Sequence, residues 1–405
     1  MHQPPLILSK SPSTPTMHPD QLTIPCVLMR GGTSKALFFH ANDLPGPGPE
    51  RDALLKRAMG TPDVLQIDGM GGSRLVTSKV AIISRSSRPD ADVDYTFAQA
   101  DVERDRIGYD GNCGNISSAV GPFAIDEGLI DAVEPVTTVR IYNTNTDKLL
   151  IARVQVAGGK ARVMGDCAIA GVPGTGAEIL MDYAGTVGAK TGRLLPTGNV
   201  VDRMTLSDGR TVEATLCDVA NPCVFVAAAS LGLTGSELPP EISANGALIE
   251  TIGEIQSRAG EMLGLWPRWQ DVKLPGLPLF VMVAPPADFT DMANAGQRAE
   301  QMDLRARLVF LGKCHDSMAG TGSMCTAAAS RIPNSIVHRA LGAQAAGGGE
   351  LRIGHPLGVM PVRVGANVGA RPEDMSFAVL GLARTARRLM SGEIYVPRDY
   401  LAQER

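Results

Sequence analysis

The stretch GNCGN at residues 111–115 places a single cysteine, Cys113, directly ahead of a segment that reads as a helix. Apolar residues recur with helical spacing over residues 116–124. A helix start presents unpaired N–H groups and a partial positive charge, which favours the thiolate form of a cysteine and gives it a proton-transfer role. The alternative is that Cys113 is small core filler, as a lone cysteine near a helix start usually is.

A second glycine-rich turn, MAGTGS at residues 318–323, opens another segment of small residues with helical character. Glycines in both turns let a ligand approach the backbone closely. If both helices direct their N-termini at one cleft, their N–H groups suit a substrate with two or more carboxylates. The two turns therefore predict an anion site shared between two halves of the chain.

The surrounding patterns predict an α+β fold that is duplicated along the chain. Runs with strand character precede and follow each small-residue helix, and the turns NTNT and AGGK indicate a series of hairpins. The Pro- and Ser-rich residues 1–22 are expected to form a disordered leader. The segment 184–200 looks like the crossing into a second domain.

The composition argues against several classes of protein. A net charge of −4 offers no basic surface for nucleic acid or a membrane. No apolar run reaches the roughly 20 residues that span a bilayer, and the N-terminus lacks the pattern of a signal peptide. The seven cysteines are widely spaced without a C-x-x-C pair, which argues against disulfides and a zinc site. We expect a cytoplasmic protein that binds a small molecule and no metal, and a homodimer as the commonest oligomer.

Both turns resemble the diaminopimelate epimerase-like superfamily, in which two facing barrels each enclose a helix and a cysteine from each half lies at the cleft. Ala319 stands where an epimerase would carry the second cysteine, which disfavours a two-thiol racemase. A closer resemblance, collinear over residues 24–398, is to the PrpF family. It rests on MRGGTSKALFF (29–39), QIDGMGGSRLVTSKVAII (66–83), GNCGNISSAVGPFAI (111–125), LLPTGNVVD (194–202), GKCHDSMAGTGSMCTAAA (312–329) and GGGELRIGHPLG (347–358).

The superfamily resemblance implies two similar domains, each with antiparallel strands around a central helix, and an active site in the cleft between them. We expect the N-terminal domain over residues 23–188, completed by the C-terminal residues 380–405, and the second domain over residues 189–379.

The PrpF resemblance implies an isomerase that needs no cofactor and shifts a proton along an allylic system of an unsaturated di- or tricarboxylate. By motif, the lysine and cysteine that face each other in the family's cleft fall on Lys79 and Cys113. Lys79 precedes the apolar run VAIIS, so its stem is expected to be buried, and burial makes an amine easier to deprotonate. Lys79 is our candidate base, and Cys113 is either the partner acid or an electrostatic and positioning group.

Other residues in these motifs are candidates to bind the substrate carboxylates through N–H, hydroxyl or cationic groups. They are Arg30, Thr33, Ser34, Lys35, Gly71, Gly72, Ser73, Asn112, Gly114, Asn115, His315, Ser317, Met318, Ala319, Gly320 and Thr321. A plain hairpin turn is the alternative for GGTS, and a buried core histidine is the alternative for His315.

The PrpF family includes 2-methylaconitate cis–trans isomerase, 4-oxalomesaconate tautomerase, methylitaconate isomerase and aconitate isomerases. The variant DGNCGN at residues 110–115 favours 2-methylaconitate or a close analogue. Two other hypotheses stay open at this point. One is an amino-acid racemase or epimerase, and the other is a non-catalytic carboxylate-binding protein that assists an aconitase-like dehydratase.

Overall fold

The structure, a computed structural model, describes residues 19–400 except 344, 346, 347, 368 and 370. Most of the regular structure in these residues is β-strand. The strands are β1 (Gln21–Gly31), β2 (Ser34–His40), β3 (Lys79–Arg85), β4 (Val93–Ala100), β5 (Ile107–Gly108), β6 (Val136–Asn143), β7 (Lys148–Ala157), β8 (Lys160–Ala161), β9 (Ile179–Asp182), β10 (Asp202–Thr205), β11 (Thr211–Val219), β12 (Asn221–Ala227), β13 (Leu279–Ala284), β14 (Phe289–Thr290), β15 (Gly296–Gln297), β16 (Leu304–Phe310), β17 (Lys313–Cys314), β18 (Glu350–His355), β19 (Gly358–Asn367), β20 (Ser376–Arg384) and β21 (Ala386–Pro397).

Fewer residues are helical. The α-helices are α1 (Pro49–Met59), α2 (Gly114–Asp126), α3 (Pro239–Ala244), α4 (Gly246–Met262), α5 (Gly320–Ser330) and α6 (Ile336–Arg339). Short 3-10 turns occur at Ala41–Asp43, Ala184–Thr186, Ala228–Leu231, Trp269–Asp271, Ala299–Gln301 and Pro372–Asp374. In the part of the chain that the structure describes, no helix has the length and apolar character needed to cross a membrane.

One run of hydrogen-bonded strands surrounds helix α2. Its neighbours follow the order β21, β1, β2, β3, β4, β6, β7, β9 and β20. All of these pairs are antiparallel except β2 with β3 and β4 with β6. Helix α2 contacts strands on several sides of this run, among them β1, β7 and β21.

A second run surrounds helix α5, in the order β10, β11, β12, β13, β16, β18, β19 and β20. Its parallel pairs are β12 with β13 and β16 with β18. Strand β20 belongs to both runs because it pairs with β9 on one edge and β19 on the other. Two strand systems around two central helices confirm the predicted duplicated α+β fold.

The first and the last strand pair with each other in this fold. Strand β1 pairs with β21 along its whole length, from Gln21 opposite Pro397 to Gly31 opposite Ala386. Residues 1–18 of the predicted leader lie outside the described residues, but its last two residues are strand because β21 supplies their backbone partners. The pairing is what we expect if the C-terminal residues complete the N-terminal domain. The domain boundaries themselves stay a prediction.

The strand and helix patterns explain how α2 is enclosed. Strand β7 alternates between buried and more exposed residues, so one of its faces packs inward. Every residue of α2 from Gly114 to Ile125 is buried. Gly121 allows a close approach, since a Cβ atom there would lie 2.8 Å from Cγ2 of Val154. The small residues of the helix are therefore required by the strands around it.

Replacing Phe123 by alanine is expected to destabilise the fold strongly. Phe123 is fully buried, and its ring centroid lies 5.4 Å from that of Phe38. The cavity left in the core lowers the free energy of unfolding by about 3–5 kcal/mol. Urea unfolding measures this loss, with Ile67→Ala as the control because Ile67 is 82% exposed. A loss no larger in Phe123→Ala than in the control contradicts the packing of α2.

Candidate active site

Lys79 is a buried amine at the start of strand β3. Only 5% of the residue is exposed, and it lies directly opposite Gln99 of β4. Its Nζ donates a hydrogen bond to Oε1 of Gln99 at 2.6 Å and lies 5.1 Å from the centroid of the Phe97 ring. Burial lowers the pKa of Lys79, and the charge and hydrogen bonding of the neighbouring Cys113 sulfur oppose that shift. The predicted burial of the lysine stem is confirmed.

Cys113 directly precedes helix α2 and is half-buried. Its backbone is extended, and its carbonyl oxygen accepts hydrogen bonds from the N–H and the hydroxyl of Ser117. The thiol itself forms no bond that caps the helix. Cys113 is therefore held by its backbone, which leaves the side chain available to the cavity that it lines.

The starts of the two central helices touch one another. A Cβ atom on Gly114 would lie 2.8 Å from the backbone nitrogen of Thr321, and one on Gly320 would lie 2.9 Å from the carbonyl carbon of Gly114. Both positions therefore require glycine. The close contact brings the partial positive ends of α2 and α5 to the same place, where both ends attract a bound anion.

Ala319 precedes α5 as Cys113 precedes α2. The second helix start thus carries a methyl group where the first carries a thiol. Cys325 lies further along α5, where its Sγ donates to the carbonyl oxygen of Cys217, and Cys314 is also buried. Neither sulfur replaces a thiol at position 319, which argues against a two-thiol racemase.

One cavity between the two halves collects part of the predicted site. The predicted residues that line it are Lys79, Asn112, Cys113, Asn115, His315, Ala319 and Thr321. Gly114 and Gly320 lie directly behind it, where the helix starts meet. The cavity therefore joins the amine, the thiol and both helix starts.

Asn112 lines this cavity and is held by several hydrogen bonds. Its Oδ1 accepts the Ser117 hydroxyl at 2.9 Å, whereas its Nδ2 has no hydrogen-bond partner among the residues that the structure describes. Its backbone is clamped by Asn221, which accepts the Asn112 N–H at 3.2 Å and donates to the Asn112 carbonyl at 3.0 Å. Asn221 also donates to Oγ1 of Thr321 at 3.0 Å, so one amide connects both helix starts.

His315 is a neutral donor beside Lys79. Burial, reinforced by the Lys79 charge, lowers the pKa of His315 to about 3. Its Nδ1 accepts the backbone N–H of Ser317 at 3.1 Å, so the proton of the neutral ring is assigned to Nε2. The ring is thus a buried histidine that also lines the cavity, which combines the two alternatives raised by the sequence.

The residues of GGTSK do not line this cavity. The guanidinium of Arg30 donates to the carbonyl oxygens of Gly32 and Thr385, and the Lys35 N–H donates to the carbonyl of Val76. The hydroxyl of Ser34 is buried without a hydrogen-bond partner among the described residues. These contacts support the loop and leave its predicted substrate role untested.

Thr33 and Ser317 instead join the two halves behind the site. Their hydroxyl oxygens lie 2.9 Å apart, and Thr33 Oγ1 also accepts Nδ2 of Asn115 at 3.1 Å. Met318 is fully buried in the core. Their predicted contact with substrate also stays a prediction.

The glycine-rich turn MGGS is likewise outside the cavity. The N–H of Gly71 donates to the carbonyl of Met59, and the N–H of Ser73 donates to Oε1 of Gln66 at 2.9 Å. A Cβ atom on Gly72 would lie 2.5 Å from Oγ1 of Thr77. These glycines fit a tightly folded loop, and three of its backbone donors, those of Met70, Gly71 and Ser73, are already bound within the protein.

Several lining residues were missed by motif reading. Gln99 and Asn221 are buried amides, and Arg106 forms an ion pair with Asp110 at 2.5 Å at the same cavity. An apolar wall is formed by Leu277, Leu279, Phe310 and Leu311. Gln99 did carry a signal, since a polar residue at the end of an apolar strand faces the same side as Phe97.

Within the residues that the structure describes, no group of three or more His, Cys, Asp and Glu side chains could hold a metal ion. The predicted independence of metals and cofactors stays a prediction, because an empty site says nothing about the reaction.

Solved structures with this fold include isomerases. The crystal structure of a methylitaconate-delta-isomerase is 46% identical in sequence, with a TM-score of 0.75 over 94% of this chain and 97% of that one. A hydroxyproline epimerase from Agrobacterium vitis is 14% identical with a TM-score of 0.54 over 93% of both chains, which shows the shared fold alone. The chain is an isomerase with the fold of these enzymes.

The sequence comparisons define its family. Residues 21–397 match the family described as PrpF protein. The chain is 46% identical to 3-methylitaconate isomerase of Eubacterium barkeri, over 94% of this chain and 99% of that protein. It is 39% identical to 4-oxalomesaconate tautomerase of Pseudomonas putida over 94% and 98%, and 37% identical to 2-methyl-aconitate isomerase of Shewanella oneidensis over 94% and 99%. The chain belongs to the PrpF family, as its motifs predicted.

The buried neutral His315 is expected to make folding stability depend on pH. An ordinary histidine takes up a proton near pH 6.5, whereas His315 in the folded protein does so near pH 3. Between these values the unfolded chain binds one more proton, so stability is lost as the pH falls below about 6.5. His315→Gln removes this contribution, about 1.4 kcal/mol for each pH unit.

Urea unfolding at several pH values between 5 and 8 checks this expectation. The slope of unfolding free energy against pH below pH 6.5 should be smaller in His315→Gln than in the unchanged protein. Measurements at pH 8 serve as the reference, because histidine is neutral there in both states. Equal slopes in the two proteins would show that His315 titrates normally in the folded state.

Proposed function

We propose that the chain catalyses a 1,3-allylic proton shift on an unsaturated di- or tricarboxylate. The observation that carries this proposal is the meeting of Lys79, Cys113 and two helix starts in one cavity. A base and an acid act at the two ends of the allylic system, while the helix starts hold carboxylates. The relatives named as methylitaconate, 2-methylaconitate and 4-oxalomesaconate isomerising enzymes support this reaction class.

Lys79 is the proposed base. Its neutral amine takes the proton from the carbon next to the C=C bond, and the electron pair spreads over the allylic carbons and a carboxylate oxygen. Burial lowers the pKa of Lys79, which raises the fraction of amine that is able to accept a proton. Cys113 delivers a proton to the far allylic carbon, so the double bond moves and the atoms of the substrate are conserved. The proton held by the Lys79 ammonium then passes to the neighbouring Cys113 thiolate, which restores the neutral amine and the thiol for the next turnover.

The developing negative charge needs donors that are already in position. The start of α2 and the start of α5 meet at the cavity, which Asn112 also lines. His315 is neutral, so its ring adds a hydrogen-bond donor there but no positive charge. Fixed donors of this kind stabilise an enolate-like anion more than they stabilise the substrate.

We favour a methyl-substituted substrate, 2-methylaconitate or methylitaconate. Part of the cavity lining is apolar, with Leu277, Phe310 and Leu311 among its members. Such a wall suits a methyl group better than the additional oxo-carboxyl group of 4-oxalomesaconate. The relative named 3-methylitaconate isomerase, at 46% identity, supports this choice.

A cytoplasmic location is also proposed. All seven cysteines are free thiols, which suits a reducing compartment. The homodimer stays a prediction.

Lys79→Ala is expected to lower kcat/KM for isomerisation by roughly 10²–10⁴-fold, because the base is removed. The assay follows the ultraviolet absorbance of the conjugated acid and, in D2O, deuterium entry at the allylic carbons by NMR. Lys160→Ala is the matched control, since Lys160 is an exposed lysine of β8. If Lys79→Ala keeps the full exchange rate, Lys79 is not the base.

Cys113→Ala is expected to slow product formation more than it slows exchange at the carbon that Lys79 deprotonates. The reason is that the thiol acts on the far carbon after the anion has formed. Deuterium at the two carbons, measured separately by NMR, distinguishes these steps. Equal loss at both carbons assigns Cys113 to anion stabilisation or positioning.

A panel of four acids tests the substrate class. We expect kcat/KM for 2-methylaconitate or methylitaconate to exceed that for 4-oxalomesaconate and aconitate by about tenfold or more, as expected when a pocket contact is satisfied or lost. Replacing Leu311 by Ser should reduce this preference. A higher value for 4-oxalomesaconate would contradict the role of the apolar wall.

A further inference from the structure

Lys79 is a buried amine without a carboxylate partner. In the residues that the structure describes, no carboxylate forms an ion pair with it; its Nζ donates a hydrogen bond to Oε1 of Gln99 at 2.6 Å and interacts with the neighbouring Cys113 sulfur. A buried ammonium group usually requires a paired charge or several acceptors. A neutral amide opposite this amine, in place of a carboxylate, therefore calls for a physical reason.

The orientation of the Gln99 amide is fixed by its other atom. Its Nε2 donates to the carbonyl oxygens of Leu75 at 3.2 Å, Ser78 at 2.9 Å and Ala100 at 3.2 Å. Turning the amide over would place its oxygen against three carbonyl oxygens and its NH2 group against the Lys79 amine. Both contacts would be repulsive, so the amide is oriented with its oxygen toward Lys79.

The backbone also fixes the pair. Lys79 and Gln99 are directly opposite residues of the antiparallel strands β3 and β4, and both are at least 95% buried. The pairing continues through Val80 opposite Ala98, which are both fully buried. A shift in register would expose this core, so the amine and the amide are held face to face.

We propose that Gln99 is a positioning residue of the isomerase, a neutral acceptor that directs the Lys79 amine into the cavity without adding a negative charge. This inference rests on the proposed role of Lys79 as base. A carboxylate at position 99 would also accept from the amine, but it would stabilise the protonated form of Lys79 and would turn its second oxygen toward the three carbonyl oxygens that Nε2 now binds. An apolar side chain would remove the hydrogen-bond acceptor that orients the Lys79 amine. Glutamine is the side chain of suitable length that avoids both effects.

The other titratable groups near Lys79 are the same in every variant at position 99. They are the Cys113 thiol before α2, the neutral imidazole of His315 after β17, Asp101 after β4, and the Arg106–Asp110 ion pair. Oδ1 of Asp101 accepts the N–H groups of residues 103 and 104, while its Oδ2 lies 3.7 Å from the Arg104 guanidinium and has no hydrogen-bond partner among the described residues. A change in the behaviour of Lys79 is therefore attributable to residue 99.

Gln99→Glu is the decisive variant, tested by the pH profile of kcat/KM for 2-methylaconitate or methylitaconate. Lys79 must be neutral to act, so activity rises with pH through its pKa. The new carboxylate moves this rise to higher pH by at least one unit, which is a tenfold loss on the rising limb and recovery above it. A loss of equal size at every pH, with the limb unmoved, would reduce Gln99 to a structural residue.

Gln99→Met separates orientation from charge. Methionine has similar length but no acceptor, so kcat on the plateau falls at least tenfold while the rising limb does not move to higher pH. Gln155→Glu is the control, because Gln155 is a half-buried glutamine of β7 that lies outside the cavity. An unchanged plateau in Gln99→Met would overturn the proposal even if Gln99→Glu fails to fold.

A direct titration distinguishes this inference from the proposed function. The side-chain resonance of Lys79 in lysine-labelled protein, assigned by its loss in Lys79→Arg, reports protonation whether or not any substrate reacts. Its midpoint rises by at least one unit in Gln99→Glu. If the midpoint rises but the unchanged protein isomerises none of the acids, the proposed function fails while the contact stands. If the midpoint does not move, the inference about Gln99 fails alone.

Discussion

Two helix N-termini in direct contact are the constraint on which the rest of the structure depends. Glycine at positions 114 and 320 lets the first turns of α2 and α5 touch. Their partial positive charges repel each other unless an anion lies between them or polar groups shield them. Each helix is held in place by its own run of strands, so the repulsion cannot be relieved by turning the helices apart. The result is a site that is prepared for carboxylates before any arrives.

Several contacts keep the two halves aligned around this meeting point. Asn221 bonds to the turn before α2 and to the first turn of α5, and Thr33 lies against Ser317. Further out, Arg74 pairs with Asp316 at 2.9 Å. Buried amides and hydroxyls are more demanding in geometry than exposed ion pairs, which contribute little to stability. The alignment of the two helix starts at the cavity therefore depends on Asn221 and its neighbours. The ion pairs contribute only at the surface.

The sequence predicted the fold and the centre of the site because both depend on local signals. Cys113 and Ala319 directly precede helices that the glycines and small residues of the sequence predict. Lys79 begins an apolar strand. The motifs GGTSK and MGGS were less informative. A glycine indicates that another group approaches the backbone closely, but it does not show whether that group is a ligand or another part of the protein. Around Gly31 the approaching group is the backbone of Asn115, not a ligand.

What the sequence did not reveal depends on partners that are distant along the chain. Asn221 acts on residues a hundred or more positions away, and the apolar residues near Leu277 and Phe310 come from the second half. Gln99 becomes meaningful only once the register of β3 and β4 sets it opposite Lys79. The pairing of β1 with β21 is the most distant of these relations. Since β1 emerges from the ribosome long before residues 386–397 are synthesised, the edge that pairs with β21 stays uncovered until those residues have been translated.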